Sequence, residues 1–206
     1  MNESIGEPDL SALLAATAAG PEVLQRLHRR LEEGAARDQL LDIAYRTIDT
    51  PIGSLLLAAT EKGLLRVAYE SEDHEKVLDI LAVKLSPRIL HAPQRLEEAA
   101  REIEQYFAGA RRKFDLSLDL SLSSGFRQLV QRHLPEIAYG QTQSYAQVAQ
   151  LVGNPRAVRA VGSACATNPL PVVIPCHRVL RSDGKLGGYI GGLAAKSALL
   201  NLEARV

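Results

Sequence analysis

The chain holds only two cysteines, Cys165 and Cys176, among 206 residues. Two thiols with no Cys-x-x-Cys pair cannot build a disulfide framework or supply zinc-site spacing, so a reducing cytoplasm is expected, with no metal and no cofactor. Net charge is missing as well: 24 Lys and Arg balance 24 Asp and Glu. That balance excludes a protein that coats nucleic acid nonspecifically, but it leaves room for a local basic face. No apolar run reaches the roughly 18 to 20 residues that a membrane span needs. The opening MNESIGEPD has neither the positive start nor the apolar core of a secretory signal. A soluble intracellular chain with no membrane partner is expected.

What is present reads in three blocks. From Asp9 to about Gln39, Leu10, Leu13 and Leu14, then Val23, Leu24, Leu27 and Leu31, recur at spacings of three and four, which predicts helix. Gly20-Pro21 divides this run in two, because glycine suits the residue after a helix and proline suits a first helical turn. Residues 1–41 are therefore read as a helical extension. From 42 to 120 the pattern changes. IAYRTIDTPIGSLLLAATEKGLLRVAYE has short apolar runs separated by turn residues, as in an antiparallel meander. DHEKVLDILAVKL and RLEEAAREIEQYFAG read as helices, the second stopping at Gly109, and KFDLSLDLSL alternates with period two as a strand or extended linker. No reactive residues cluster there, so this block is expected to be structural.

The third block, 121–206, opens with SSGFRQLVQRHLPEI, where Phe126, Leu129, Val130 and Leu134 are expected on one helical face. Two short helices follow, 144–151 and 155–166, joined at Gly153-Asn154 in the manner of a helix-turn-helix. The second, PRAVRAVGSACA, carries Ala157, Ala160, Gly162, Ser163 and Ala164, small enough for close approach to another surface. Arg156 and Arg159, three residues apart, add positive charge. A tightly packed core helix with two solvated arginines fits the same residues; a positively flanked wedge against a DNA minor groove is the functional reading.

Cys176 stands between Pro175 and His177 in NPLPVVIPCHRV. A thiol attacks only as thiolate and needs a base or a positive environment, because its ordinary pKa is near 8.5. In an extended strand His177 points away from Cys176, so a turn or a bridging water must relate them. Proline on both sides of VVI favours such irregular backbone. A buried inert thiol is the plain alternative for Cys176, and it is the expectation for Cys165, which has no adjacent base.

The run RAVGSACATNPLPVVIPCHRVLRSDGKLGGYIGGLAAKSALLNLE resembles the active-site region of the O6-alkylguanine-DNA alkyltransferases. Its marks are Pro-Cys-His-Arg-Val preceded by Asn-Pro and followed by Gly-Tyr-x-Gly-Gly-Leu-x-x-Lys and a late Glu. The likeness is strong from about Phe126 to Glu203 and looser back to Asp42. It implies an α+β fold: an N-terminal half with a small antiparallel sheet and helices, ribonuclease H-like, and a C-terminal winged-helix-like half carrying the helix-turn-helix and active-site loop.

The same resemblance implies roles. Cys176 would accept the alkyl group from O6-alkylguanine in double-stranded DNA, irreversibly and once per molecule, with His177 as base through a water and Glu203 as its orienter. Tyr145 would supply the proton or hydrogen bond to the leaving guanine, and Asn168 would hold the turn before the active segment. Arg159 would fill the gap left by the extruded nucleotide, with Arg156, Ala157, Ala160 and Gly162 beside it on the DNA. Tyr189, Val179, Ile190, Pro171 and Lys196 would form or support the pocket, in a monomer. Ala138 departs from the family's usual proline before Tyr139-Gly140. Two other readings compete: a lesion-binding protein without the nucleophile, against which Cys176 argues, and a thiol hydrolase using Cys, His and Glu, for which no oxyanion hole is evident.

Overall fold

A computed structural model describes residues 20–37 and 40–204, and the helix expected between Asp9 and Gly20 lies outside them. The chain divides into two units, Met1–Leu40 and Leu41–Val206. In the first, helix α1 spans Pro21–Arg37, with proline at its first position and the Gly20 carbonyl accepting from the amides of Val23 and Leu24. Its Val23, Leu24, Leu27 and Leu31 are exposed.

The second unit begins with the expected meander: β1 (Ile43–Thr50), β2 (Gly53–Thr60) and β3 (Gly63–Tyr69) pair antiparallel. The β1–β2 turn closes across Thr50 and Gly53, with Gly53 in the left-handed region at φ 100°. Every side chain from Leu55 to Ala58 is buried, so β2 is covered on both faces. Helix α2 (His74–Lys84) covers one of them. Its Val77 and Leu81 pack with Ile43, Leu56, Ala58, Leu65 and Ala68.

The sheet is not purely antiparallel. Ile89–His91 forms β4, which adds to β1 in parallel, giving the order β3-β2-β1-β4. Three residues carry too little alternation to announce a strand; it forms because the return of the chain from α2 lays it along β1. The KFDLSLDLSL segment, expected as a strand or extended linker, adds no strand to the ladder. It touches β3 at one bridge, Leu64 with Leu118, flanked by Leu64 N–H to Ser117 O and Asp119 N–H to Leu64 O. A side chain on Gly63 would collide with the Ser117 carbonyl, so glycine permits that approach. Further along, β3 turns to a different partner, as Val67 N–H donates to Pro169 O at 2.9 Å. The edge of the sheet thereby holds the segment that leads to Cys176.

Helix α3 (Glu97–Phe107) ends near Gly109, as expected, and buries Ala99, Ala100, Ile103 and Tyr106. Helix α4 (Gly125–His133) buries Val130 but leaves Leu129 exposed. The inward position goes to Gln131, whose amide donates to the Ala164 carbonyl at 3.2 Å. Strand β5 (Gln143–Ser144) leads into α5 (Tyr145–Leu151), which starts in a capping box: the Ser144 side chain accepts from Gln147 N–H while Ser144 N–H donates to Gln147 Oε1. Gly153, at φ 76°, ends it.

The next helix, α6, spans Val158–Ala166, three residues shorter than expected at its start. Asn154–Ala157 closes a turn instead, with Ala157 N–H donating to Asn154 O. Arg156 therefore precedes the helix, and its spacing from Arg159 is not a helical i, i+3 pair. Strand β6 (Val179–Leu180) pairs in parallel with β5, and α7 (Gly192–Glu203) closes the unit.

Candidate active site

The segment from Asn168 to Cys176 folds around one side chain. Asn168 is fully buried; its Nδ2 donates to Ile174 O at 2.8 Å and lies 3.2 Å from Cys176 Sγ, while its Oδ1 accepts from Leu170 N–H. Val172 within this loop sits at φ 73°, a left-handed conformation that a β-branched residue adopts only under constraint, at a cost of order 1–3 kcal/mol. Pro171 is buried beside it.

Cys176–Arg178 is a single 3-10 turn, not a strand, with Arg178 N–H closing on Pro175 O. Three residues per turn send three successive side chains in three directions. Cys176 meets Asn168, whereas His177 and Arg178 both reach Glu203. His177 Nε2 lies 2.9 Å from Glu203 Oε1. Arg178 grips both carboxylate oxygens, Nε to Oε2 and Nη2 to Oε1, each at 2.9 Å. Tyr106 donates its hydroxyl to Oε1 at 2.7 Å and Gly140 its amide to Oε2 at 3.1 Å. Gly140 needs its missing side chain, since its φ is 72° and a Cβ would lie 2.9 Å from the Glu203 carbonyl.

The electrostatics follow from this packing. Burial alone would push the Glu203 carboxyl up, but hydrogen bonds from His177, Arg178 and Tyr106 hold it well below the usual range. Burial lowers His177, against the pull of Glu203, so the imidazole is neutral at neutral pH. A neutral ring facing a carboxylate through Nε2 carries its proton there, leaving the Nδ1 lone pair free. Nδ1 is buried and has no hydrogen-bond partner among the described residues.

The Cys176 thiol is pushed up to about 11 by burial; the Asn168 hydrogen bond and the nearby Lys196 charge pull the other way. Lys196 is itself buried and donates to the Val179 carbonyl at 2.7 Å. Burial therefore favours the protonated form of Cys176, and burial also lowers Lys196 against the pull of the two thiols.

Tyr145, half-buried at the start of α5, is pushed up to about 12 by burial, with Cys165 and Cys176 adding in the same direction. Its phenol packs where a Gly187 side chain would stand. Tyr189 sits with its ring 6.4 Å from that of His177, and its hydroxyl meets the Tyr69 hydroxyl at 3.0 Å. Cys165 is buried on the inner face of α6, where Val161 and Ala164 also point, and burial raises its thiol.

The structure thus brings Cys176, His177, Glu203, Asn168, Tyr145, Tyr189 and Lys196 into one region. Val179 is buried there, with its carbonyl already engaged by Lys196. Ile190 instead lines a groove with Arg66, Asn168 and Pro169. Arg159 and Ala160 are exposed on the outer face of α6, Gly162 and Ala157 are half-buried, and Arg156 is exposed in the preceding turn. Three participants escaped the sequence reading. Arg178 lay inside the quoted PCHRV motif and carried no assigned role. Tyr106 and Tyr69 come from the block read as structural, and only their polar tips on otherwise apolar faces could have flagged them.

The chain is similar to known proteins over most of its length. Residues 43–120 match the family model described as 6-O-methylguanine DNA methyltransferase, ribonuclease-like domain, and residues 125–205 match the DNA binding domain of the same name. A methylated-DNA--protein-cysteine methyltransferase of Methanosarcina barkeri is 44% identical over 163 residues, covering 77% of this chain and 96% of the relative. The constitutive enzyme of that name from Bacillus subtilis is 39% identical over 163 residues, covering 77% and 94%. Among solved structures, the Mycobacterium tuberculosis O6-methylguanine methyltransferase superposes with a TM-score of 0.70 at 39% identity, covering 79% of this chain and 93% of that one. The M. tuberculosis protein in complex with DNA gives a TM-score of 0.67 at 39% identity, covering 78% and 92%. With both family models matched in order across most of its length, the chain belongs to the 6-O-methylguanine DNA methyltransferase family.

Proposed function

We propose that this chain repairs DNA by taking the alkyl group from the O6 atom of a guanine onto Cys176, irreversibly and once per molecule. The observation that carries the reading is a buried Cys176 whose Sγ meets the Asn168 amide, next in the same turn to a buried His177 that is held through Nε2 by Glu203.

The lesion lies inside the duplex, so the nucleotide rotates out into the pocket at a cost of a few kcal/mol. Arg159, exposed and without an ion-pair partner among the described residues, fills the space it leaves, while Ala157, Ala160 and Gly162 let α6 approach the groove and Arg156 meets the backbone. The Cys176 proton passes through a water to His177 Nδ1, and Glu203 stabilises the resulting imidazolium. The sulfur attacks the alkyl carbon, forming the S–C bond as the C–O6 bond breaks. Tyr145 hydrogen-bonds or protonates the departing guanine. Asn168 and Lys196 stabilise the thiolate as it forms, and Tyr189, Pro171, Val179 and Ile190 bound the pocket.

Residues 42–120 serve as scaffold, 121–206 as the catalytic and DNA-binding part, and 1–41 as an extension. The protein works as a cytoplasmic monomer. Intact-mass analysis after incubation with duplex DNA bearing O6-methylguanine tests the reading: one methyl, mapped to the Cys176 peptide, is expected. Multiple turnovers, or a methyl on Cys165, rejects it.

A further inference from the structure

Helix α2 belongs to the sheet half, yet it carries a ridge of charge that the fold does not use. Lys76, Ile80 and Lys84 recur every four residues along one stripe of the helix and line a groove of about 370 Å³. Across the groove stands Arg127, in the first turn of α4. Lys76, Lys84 and Arg127 are exposed and have no ion-pair partner among the described residues. Arg66 also lines it and is paired with Glu72, the only acidic residue of the lining, so the lining sums to three positive charges. Glu75 and Asp79, the acidic neighbours on α2, do not line it.

Place in the fold says what meets this charge. Ala166 and Thr167, exposed at the end of α6, also line the groove, together with Asn168, whose amide touches Cys176 Sγ. The groove is therefore continuous with the helix assigned to DNA. Its cations extend that surface from the C-terminal half onto the sheet half. Lys76 and Lys84 lie about 12 Å apart along the helix axis, a distance that covers several steps of a strand advancing 3.4 Å per nucleotide. A chain with no net charge lacks diffuse attraction for a polyanion, so clustered unpaired cations beside the reading helix have a local task.

We propose that the groove between α2 and α4 is a second DNA-contacting surface, in which Lys76, Lys84 and Arg127 hold phosphates of the strand that runs past the C-terminal end of α6. The proposal rests on the DNA-repair reading and adds the sheet half to the DNA footprint.

The test measures binding of the whole chain to an undamaged duplex across a range of salt concentrations. Lys76→Gln/Lys84→Gln/Arg127→Gln is expected to weaken binding and to make the slope of log K against log salt shallower by about 0.9 for each phosphate left without its cation, up to about 2.7 for three. Lys76→Arg/Lys84→Arg keeps the parental slope. Transfer from free O6-benzylguanine to Cys176 stays at the parental rate in every variant, because none of these residues touches the thiol or its partners. A control that removes three cations off the groove, Lys62→Gln/Arg95→Gln/Arg101→Gln, leaves the slope in place. An unchanged slope in the groove variant, an equal fall in the control, or a parallel loss of transfer from the free base overturns the proposal. Failure of the repair reading is a separate result, seen as no alkyl mass on Cys176 with methylated duplex.

Discussion

The Tyr106 hydroxyl, from α3 in the sheet half, donates to Glu203 Oε1 at 2.7 Å and stands 3.5 Å from His177 Nε2. Both the phenol and the carboxylate are buried, so this bond ties the sheet half to the carboxylate that holds the proposed base. Tyr106→Phe keeps the ring and removes the donor. The carboxylate then leans harder on His177 and raises its pKa. The acid limb of alkyl transfer, expected below pH 6.5 in the parent because burial lowers His177, moves to higher pH in the variant. A rate profile measured with O6-benzylguanine between pH 5 and 8 checks this; a limb that stays in place would show that the hydroxyl only fills space.

Glu203 also sets the acid stability of the fold. Its folded pKa lies below the ordinary glutamate value, so the stability it contributes is fully present above about pH 4.3 and is lost as pH falls towards the folded value. His177, likewise lowered, adds a loss of the same sign that begins near pH 6.5. Urea unfolding at pH 7 and at pH 3.5 is expected to show a smaller pH-dependent loss for Glu203→Gln than for the parent. At neutral pH the same variant is less stable by about 3–5 kcal/mol, because Arg178 keeps a buried charge without its carboxylate. Equal acid losses in the two proteins contradict the assignment.

Tyr69 reaches from the end of β3 into the loop that carries Tyr189. Its ring lies 5.9 Å from the Tyr189 ring, and a side chain on Gly191 would run into it. Gly191→Ala is therefore expected to displace that loop and to cut alkyl transfer by an order of magnitude or more, an effect of about 1.4 kcal/mol or above. Tyr69→Ala in the same chain relieves the collision. A double mutant no better than Gly191→Ala alone contradicts the contact.

Arg159 is exposed on α6 and makes none of the hydrogen bonds described around Cys176. If it fills the gap left by an extruded nucleotide, Arg159→Ala slows repair of O6-methylguanine in duplex by 10-fold or more, about 1.4 kcal/mol, and leaves transfer from O6-benzylguanine near the parental rate. Equal losses on the two substrates reject base replacement as its task.

The linear order of residues determined a good part of this protein. Period and turn chemistry specified the meander, α2, α3 and the helix pair, because Thr-Pro-Ile-Gly, Glu-Lys-Gly and Gly153-Asn154 act over a few neighbouring residues. The family resemblance pointed to Cys176, His177 and Glu203 for the proposed nucleophile, base and orienter, and Glu203 does reach His177. What depended on distant chain did not show. β4 exists only because β1 is there to receive it, the extended 114–120 run finds one bridge in place of a ladder, and the first residues of the expected α6 close a turn instead. The backbone around Cys176 and His177 is a 3-10 turn and not a strand, after a loop held by Asn168 and a strained Val172, which the residues alone did not announce. Tyr106 and Tyr69 could not be assigned from their own neighbourhoods, since burial and a partner some 97 or 120 positions away decide what a phenol does. Local sequence specifies local backbone and the identity of reactive atoms; their protonation and aim are set by groups that only the folded chain brings within hydrogen-bonding distance.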